Sequence, residues 1–171
     1  SDPSNLFISR CADAGTIVHT PRSNSSWTVM HNGIQVLREY HHMHNGVPAV
    51  RHGYYGSDFT TIFEANLGVH EAAEERLFGE VLKFMPRGAV MLELGSYWAF
   101  YSTWFGRAVA RPRLLCVEGE PHNLALGRRN AARNGVHAEF IRGYIGSDVN
   151  VSRLVADRSL DHVHMLHADI Q

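Results

Sequence analysis

The sequence has 171 residues, of which 44% are hydrophobic and 19% charged, and its formal net charge at pH 7 is −1. These values are typical of a soluble globular protein of one domain with a buried core. The absence of a basic excess argues against a nucleic-acid partner, and no apolar run approaches the ~20 residues that a membrane helix needs.

The cysteines and the first residues bear on the cellular location. Cys11 and Cys116 are far apart in the sequence and form neither a metal-binding nor a redox spacing. The start, Ser1 to Asn5, lacks the basic and apolar regions of a signal peptide. We therefore expect reduced thiols and a cytoplasmic protein.

The first 68 residues are irregular in pattern. Residues 26–40 contain two β-rich runs separated by Asn32-Gly33, which predicts a hairpin. Residues 44–58 are rich in Gly, Pro, His and Tyr, and they predict a loop with short extended pieces. Tyr54 and Tyr55 in this loop belong either to a lid over a site or to an ordinary surface loop.

A helix is predicted after this segment, and Pro86 and Gly88 end it. Apolar residues recur there at helical spacing. The expected buried face consists of Ala73, Leu77, Phe78, Val81 and Leu82. We expect the acids to form a solvated face, or one of them to face a cleft; these acids are Glu71, Glu74 and Glu75.

From residue 89 onward, predicted strands and helices alternate. The predicted strands are residues 89–94, 113–119, 138–146 and 162–170, and the predicted helices are residues 100–110, 121–135 and 151–157. This alternation predicts an α/β fold, a Rossmann-like doubly wound and mainly parallel sheet with helices on both faces. Such sheets bind ligands outside the carboxyl ends of their strands. Because the last predicted strand ends at the last residue, we expect either further residues or another chain to complete the sheet.

The stretch MLELGSYWAFYSTWFG, residues 91–106, joins the first of these strands to its helix. Glu93 lies at the end of an apolar strand, and Gly95 lets the chain turn sharply and a ligand approach closely. The dinucleotide-binding pattern G-x-G-x-x-G is absent, because no second glycine follows Gly95 at the required spacing. Glu93 therefore suits a ligand with an ammonium group, or it is a structural acid that caps the helix.

The tip of the second strand carries Glu118, at close to the ~20 residues after Gly95 that separate a ribose-binding acid from the first turn of a βαβ unit. A carboxylate there can accept hydrogen bonds from both ribose hydroxyls. One acid that faces an amine and one that faces a ribose, with a cationic sulfonium between them, describe a site for S-adenosylmethionine.

Four segments of the chain carry a resemblance to a known family. They are LELGSYWAFYS, CVEGEPHNLALGRRNAARNG, RGYIGSD and HMLHADIQ. On these segments, residues 71–171 resemble a class I S-adenosylmethionine-dependent methyltransferase, in particular the FkbM type. Ala99 stands where this family usually has glycine, and Gly119 stands where proline is common. Neither departure removes a polar contact.

The resemblance implies S-adenosyl-L-methionine as the cofactor. It places Glu93 and Gly95 at the methionine end, Glu118 at the ribose, and Tyr144 and Ile145 against the adenine. The full set of predicted cofactor-binding residues is Glu93, Gly95, Ser96, Tyr97, Ser102, Glu118, Gly119, Tyr144 and Ile145.

The last predicted strand supplies the candidate catalytic residues. The resemblance places Asp169 near the transferred methyl group, as a base or as the group that positions the acceptor. His167 is the second candidate, because the ordinary pKa of a histidine suits a base near neutral pH. Strand alternation puts both on one face, so the two can act as a pair. Asp169 is alternatively the N-cap of a following helix.

The histidines do not indicate a metal site. His162 and His164 share a predicted strand face, and His41, His42 and His44 cluster upstream. No glutamate on a helix and no cysteine gives these groups a known zinc spacing, so we predict no metal.

Together these patterns predict a methyltransferase (EC 2.1.1) that acts on a hydroxyl of a small molecule or sugar; the hydroxyl preference comes from the resemblance alone. Residues 1–68 would be an accessory cap, and residues 69–171 the methyltransferase domain. The alternatives are a non-catalytic nucleoside-binding module of the same fold and an NAD-dependent oxidoreductase. The expected partner is a small-molecule acceptor, with neither nucleic acid nor membrane, and a homo-oligomer is compatible with the sequence.

Overall fold

The computed structural model describes residues 28 to 170. The chain forms two compact units, Ser1–Lys83 and Phe84–Gln171. The sequence predicted one domain by length and a boundary at residue 68, whereas the structure keeps the following helix with the first unit. The predictions for Cys11 and for the first residues lie outside the described part of the chain.

The first unit contains two short hairpins. Strand β1 (Thr28–His31) pairs with β2 (Ile34–Leu37), and β3 (Tyr40–His42) pairs with β4 (Pro48–Val50), both antiparallel. Asn32 and Gly33 join β1 to β2 with φ values of 50° and 77°. Positive φ at both central positions is typical of the tight turn that an Asn-Gly pair favours, so the predicted hairpin is confirmed.

Helix α1 (Ser57–Ala65) was not predicted, because Thr60, Thr61 and Ile62 are poor helix formers and the helix has no side-chain cap at its start. Its buried residue Phe63 packs against the ring of Tyr54, with ring centroids 5.5 Å apart. Tyr54 is therefore part of the core and neither a lid nor a surface residue, whereas Tyr55 is exposed.

Helix α2 (Ala72–Leu82) was predicted, but its buried face was not. Leu77 is 65% exposed, while Glu75 is 0% exposed and Glu71 is also buried. The expectation of a solvated acidic face is therefore wrong for these two acids. Phe78 is buried as expected.

The burial of Glu75 follows from its partners. His44 Nε2 lies 2.6 Å from Glu75 Oε2, His70 Nδ1 contacts Oε1, and the backbone amides of His70 and Glu71 donate to Oε1 at 3.0 Å. Burial by itself would raise the pKa of Glu75, but the two imidazoles hold it below its usual range. Burial would likewise lower the pKa of His70, but the Glu75 charge raises it above 6.5. The interior thus holds a compensated ion pair.

The second unit is built on a four-stranded parallel sheet. Its strands are β5 (Val90–Leu94), β6 (Arg113–Glu118), β7 (Glu139–Arg142) and β8 (Met165–Ala168). The order across the sheet is β7-β6-β5-β8, and every pairing is parallel. This is the 3-2-1-4 order of a Rossmann-like fold, so the predicted fold class is confirmed.

Three helices cover the two faces of this sheet, and they match the predicted positions to within two residues. They are α3 (Phe100–Ala108), α4 (Pro121–Arg133) and α5 (Val151–Asp157). Helices α3 and α4 pack on one face. On the other face, Leu154 of α5 belongs to a cluster with Leu92, Leu115 and Val117 of the strands.

Strands β7 and β8 are shorter than predicted, which changes the setting of several site residues. Tyr144 and Ile145 follow β7, and Asp169 follows β8, so none of the three lies within a strand. His162 and His164 precede β8. Across residues 28 to 170, no helix combines the length and apolar character needed to cross a membrane.

Candidate functional site at the strand tips

The turn after β5 brings three segments of the second unit together. Gly95 has a φ of +75°, and a Cβ atom placed on it would lie 2.1 Å from the carbonyl oxygen of Asp169. The amides of Gly95 and Ser96 both donate to the Val117 carbonyl at 2.9 Å. The close approach that requires this glycine is therefore made by the backbone after β8. The tips of β5, β6 and β8 meet at the switch point of strand order, where such sheets bind ligands.

Glu93 lies inside this junction, and its side chain is not turned to solvent. It is 2% exposed, and its Oε2 accepts a hydrogen bond from the backbone amide of Ser102 at 3.2 Å. Ala99, which precedes helix α3, provides no side-chain cap, so the Glu93 carboxylate satisfies one of the free amides of the first turn. The alternative of a helix-capping acid thus describes one contact of Glu93. Contact with the ammonium group of a ligand stays a prediction.

The second oxygen of Glu93 faces β8. His167 Nδ1 lies 3.7 Å from Glu93 Oε1, and the His167 side chain is 13% exposed. The imidazole lies against the ring of Tyr101 of α3 in a tilted arrangement, with centroids 4.3 Å apart. The register of the sheet explains the meeting, because Glu93 of β5 pairs directly with His167 of β8. Tyr101 was not among the predicted site residues.

Glu118 joins the turns that follow β5 and β6. Its Oε2 accepts from the amide of Tyr97 and its Oε1 from the amide of Glu120, both at 2.8 Å, and it is 9% exposed. Each carboxylate oxygen has two lone pairs, so each keeps one acceptor position after these bonds. The residue can therefore hold the turns and still accept hydrogen bonds from a pair of vicinal hydroxyls.

Ser102 and Cys116 complete the interior side of the junction. The Cys116 thiol donates to the Ser102 hydroxyl at 3.2 Å, and both residues are buried. Burial raises the pKa of the Cys116 thiol, and the Glu93 charge raises it further. The thiol is therefore protonated and inert. The predicted ligand contacts of Ser96 and Ser102 involve side chains that are 2% and 1% exposed.

Tyr144 covers the tip of β6. A Cβ atom on Gly119 would lie 2.4 Å from the Tyr144 ring, so the ring rests directly on this glycine. The phenol donates to the Glu120 carboxylate, and this hydrogen bond raises the pKa of Tyr144. Asp148 Oδ2 accepts from the Tyr144 amide at 3.0 Å. Glu120 was missed at the sequence level, although its place directly before a proline that starts a helix marks it as a strand-tip acid.

An open cavity of about 510 Å³ lies beside this ring, and its lining includes Gly119, Glu120, Arg142, Tyr144 and Asp148. Its volume is within the range of small-molecule sites. Two acids and one arginine line it, so its charge favours a ligand that is neutral or positive overall. Ile145 is partly buried and packs against the apolar core, and its contact with the adenine stays a prediction.

The structure separates the two candidate catalytic residues. Asp169 is exposed and follows the strand, with its amide donating to the Leu94 carbonyl at 3.1 Å. His167 is mostly buried within the strand. The expected sharing of a strand face does not apply, because Asp169 lies beyond the end of β8.

The histidines before β8 have a structural role. The amide of Val90 donates to His164 Nδ1 at 3.0 Å, and His162 Nε2 lies 3.1 Å from His164 Nε2. In the described part of the chain, no group of three His, Cys, Asp or Glu side chains is placed to hold a metal ion.

No known protein family matches the sequence. No curated protein matches it either. Solved structures do resemble the chain. A precorrin-6y C5,15-methyltransferase from Geobacter metallireducens is 15% identical, with a TM-score of 0.40, over 47% of this chain and 42% of that chain.

Two further solved structures resemble the chain. A SAM-dependent methyltransferase from Thiobacillus denitrificans, in complex with S-adenosyl-L-homocysteine, is 22% identical with a TM-score of 0.37, over 42% of this chain and 29% of that one. A methyltransferase from Pyrococcus furiosus is 21% identical with a TM-score of 0.36, over 48% and 43%. The chain spans less than half the length of each of these three structures. At these scores the likenesses carry no argument, and the strand order of the second unit is what defines it as a Rossmann-like α/β domain.

Proposed function

We propose that the protein is an S-adenosylmethionine-dependent methyltransferase that acts on a hydroxyl of a small molecule or sugar. The observation that supports this most directly is Glu118, a buried carboxylate at the tip of β6 with acceptor positions to spare. It stands at the switch point of the sheet, next to a cavity with an acidic lining. The Thiobacillus denitrificans structure that resembles the chain is a complex with S-adenosyl-L-homocysteine.

The residues present fit such a cofactor. Glu118 would accept hydrogen bonds from the ribose hydroxyls. The half-exposed ring of Tyr144, for which Gly119 leaves room, would lie against the adenine. The backbone turn at Ser96 and Tyr97 would face the methionine end. The three acids Glu118, Glu120 and Asp148 suit a ligand that carries a positive charge.

When bound, the cofactor supplies a methyl group on a positively charged sulfur, already a strong electrophile. The chain therefore has to orient the acceptor oxygen, exclude water and remove a proton. His167 is the candidate base, because it lies one residue before the end of β8 and the ordinary pKa of a histidine suits a base near neutral pH. Asp169, exposed at the same tip, is the candidate for positioning the acceptor.

The finer points of the proposal depend on the sequence motifs. The FkbM type and the hydroxyl acceptor come from the resemblance of residues 71–171. The expected cytoplasmic location depends on the cysteine usage. The role of residues 1–68 as a cap stays a prediction.

A calorimetric titration tests the proposal. Purified protein is titrated separately with S-adenosylhomocysteine and with NAD, and the first titration is repeated with Glu118→Ala and with the matched control Glu139→Ala, an exposed acid of the same sheet. We expect binding of S-adenosylhomocysteine alone. A hydrogen bond to a charged group is worth ~1.5–3 kcal/mol, so Glu118→Ala should weaken it by roughly 10- to 150-fold. Binding of NAD alone, or equal binding by both variants, would refute the assignment.

The second candidate is a non-catalytic nucleoside-binding module, and the low exposure of Glu93 favours it, because a carboxylate turned inward supports the fold. It predicts cofactor binding without methyl transfer to any acceptor. Incubation with methyl-labelled cofactor and a panel of hydroxylated small molecules separates the two candidates, since only the enzyme transfers the label.

A further inference from the structure

The junction between β5, α3 and β8 contains a connected set of polar groups that the cofactor site does not require. The Ser102 amide donates to Glu93 Oε2, and Glu93 Oε1 faces Nδ1 of His167 at 3.7 Å. The carboxylate is therefore oriented at one oxygen by the helix, and its other oxygen is directed at the imidazole.

The imidazole is held on its other side as well. The ring of Tyr101 lies against it, with centroids 4.3 Å apart and an interplanar angle of 37°. Its Nδ1 atom is inaccessible to solvent, and the 3.7 Å to Glu93 Oε1 is longer than a hydrogen bond, so the carboxylate acts on a proton at Nδ1 through charge attraction. A proton on Nδ1 leaves the lone pair of the neutral ring on Nε2.

We infer that Glu93 is a positioning residue for His167: it holds the neutral imidazole in the Nδ1–H tautomer and thereby presents Nε2 as the base. This inference rests on the proposed function. In this inference the Glu93 carboxylate orients His167 of β8 and does not bind the ammonium group of the cofactor.

Every bond, electron pair and proton of the methyl-transfer step is accounted for. As the acceptor oxygen bonds to the methyl carbon, the carbon–sulfur bond breaks and its electron pair stays on sulfur. The hydroxyl proton passes to His167 Nε2. The resulting imidazolium is stabilised by the Glu93 carboxylate, and the proton later leaves to water. The same arrangement of acid, imidazole and hydroxyl serves other enzymes, in which exchanging the acid for an amide fixes the wrong tautomer.

Nitrogen-15 NMR of the histidine rings in the ligand-free protein tests the inference. The His167 signals are assigned by their loss in His167→Asn. We expect the Nδ1–H tautomer in the unaltered protein. In Glu93→Gln the side-chain oxygen can still accept from the Ser102 amide, which turns its amide group toward Nδ1. The amide donates there, so the majority tautomer should reverse to Nε2–H. The control Glu139→Gln removes the same charge from β7 and should leave the tautomer unchanged.

Several results would overturn the inference. They are an Nε2–H tautomer in the unaltered protein, an unchanged tautomer in Glu93→Gln, or an equal change in Glu139→Gln. If Glu93→Gln does not fold, Glu93→Asp replaces it; this variant keeps the charge but withdraws it by one methylene, and it should lose the Nδ1–H preference.

Titration with S-adenosylhomocysteine separates this inference from the proposed function. A tenfold or larger increase in the Kd of Glu93→Gln over the unaltered value assigns Glu93 to the cofactor and overturns the inference, whereas a smaller change supports it. No binding by the unaltered protein refutes the proposed function, and the base role of His167 with it, whatever the tautomer.

Discussion

Among the described residues, Glu75 is the most deeply buried glutamate of the first unit and Glu93 that of the second, and the contacts of these two acids differ in length. Glu75 in the first unit accepts two backbone amides at 3.0 Å and contacts two imidazoles. Glu93 in the second unit accepts one amide at 3.2 Å and faces one imidazole at 3.7 Å. Their exposures are 0% and 2%.

The difference distinguishes Glu75, an acid with a structural role, from Glu93, an acid placed where it can take part in a reaction. All the contacts of Glu75 that we describe lie within the closed interior of the first unit. Glu93 stands at the switch point of a parallel sheet, where ligands bind, and its contacts are longer. A buried carboxylate with short contacts to amides and imidazoles is fixed in one arrangement by the fold.

The largest expected effect is on the stability of Glu75→Gln. The glutamine cannot balance the charge of His70, and its amide group faces an imidazole. Loss of one partner of a buried ion pair costs about 3–5 kcal/mol of unfolding free energy. Glu93→Gln, the matched control in the second unit, should cost about 1 kcal/mol, since its oxygen still accepts the Ser102 amide. Chemical denaturation followed by circular dichroism measures both. Equal losses would contradict the comparison.

The second effect concerns the backbone of the strand-tip junction. Gly95→Ala places a methyl group 2.1 Å from the Asp169 carbonyl oxygen, at a φ of +75°. We expect a loss of about 3 kcal/mol of unfolding free energy, from the left-handed backbone together with the clash. Gly135→Ala has a similar φ of +66° but open space, so it should lose only about 1 kcal/mol. If the two variants lose equal amounts, the close approach at the junction does not contribute to stability.

The stability of the first unit should also depend on pH, and we expect this effect to be smaller than those of the two substitutions above. Each unit of pKa shift changes the unfolding free energy by about 1.4 kcal/mol. The raised pKa of His70 gives stability that is present below pH 6.5 and is lost as pH rises through that pKa. The lowered pKa of Glu75 gives stability that is present above pH 4.5 and is lost at lower pH.

His41 adds to the loss on the acid side. Burial, the largest cause, lowers its pKa to about 3, so the unfolded chain takes up a proton that the folded chain does not as pH falls below 6.5. Hydrogen exchange of first-unit amides between pH 5 and 9 should show a maximum of protection near pH 6.5. In His70→Gln the loss on the alkaline side should disappear; its persistence would exclude the pair with Glu75 as the cause.

The sequence predicted the second unit better than the first. The apolar runs of β5 and β6 and the periodicity of α4 are local patterns, and the structure confirms these elements. Helix α1 lacks a side-chain cap and has three β-branched residues in a row, and it forms because Phe63 packs against Tyr54, a contact that no local pattern contains.

Among the site residues, the sequence alone indicated that Glu93, Gly95 and Glu118 stand at strand tips, because parallel strands present their carboxyl ends at one edge of the sheet. It did not indicate what each acid contacts. Glu75 was expected at the surface, yet His44 from a distant loop pairs with it inside. Glu93 was expected to face a ligand, yet sheet register places His167 beside it.

The sequence by itself thus determined the order of strands and helices and the acids at their ends, since these depend on neighbouring residues. Only the tertiary structure decided which imidazole and which amide each buried carboxylate meets. The physical reason is that a charge enters the interior only with a partner, and the partner comes from whichever distant segment the packing brings against it.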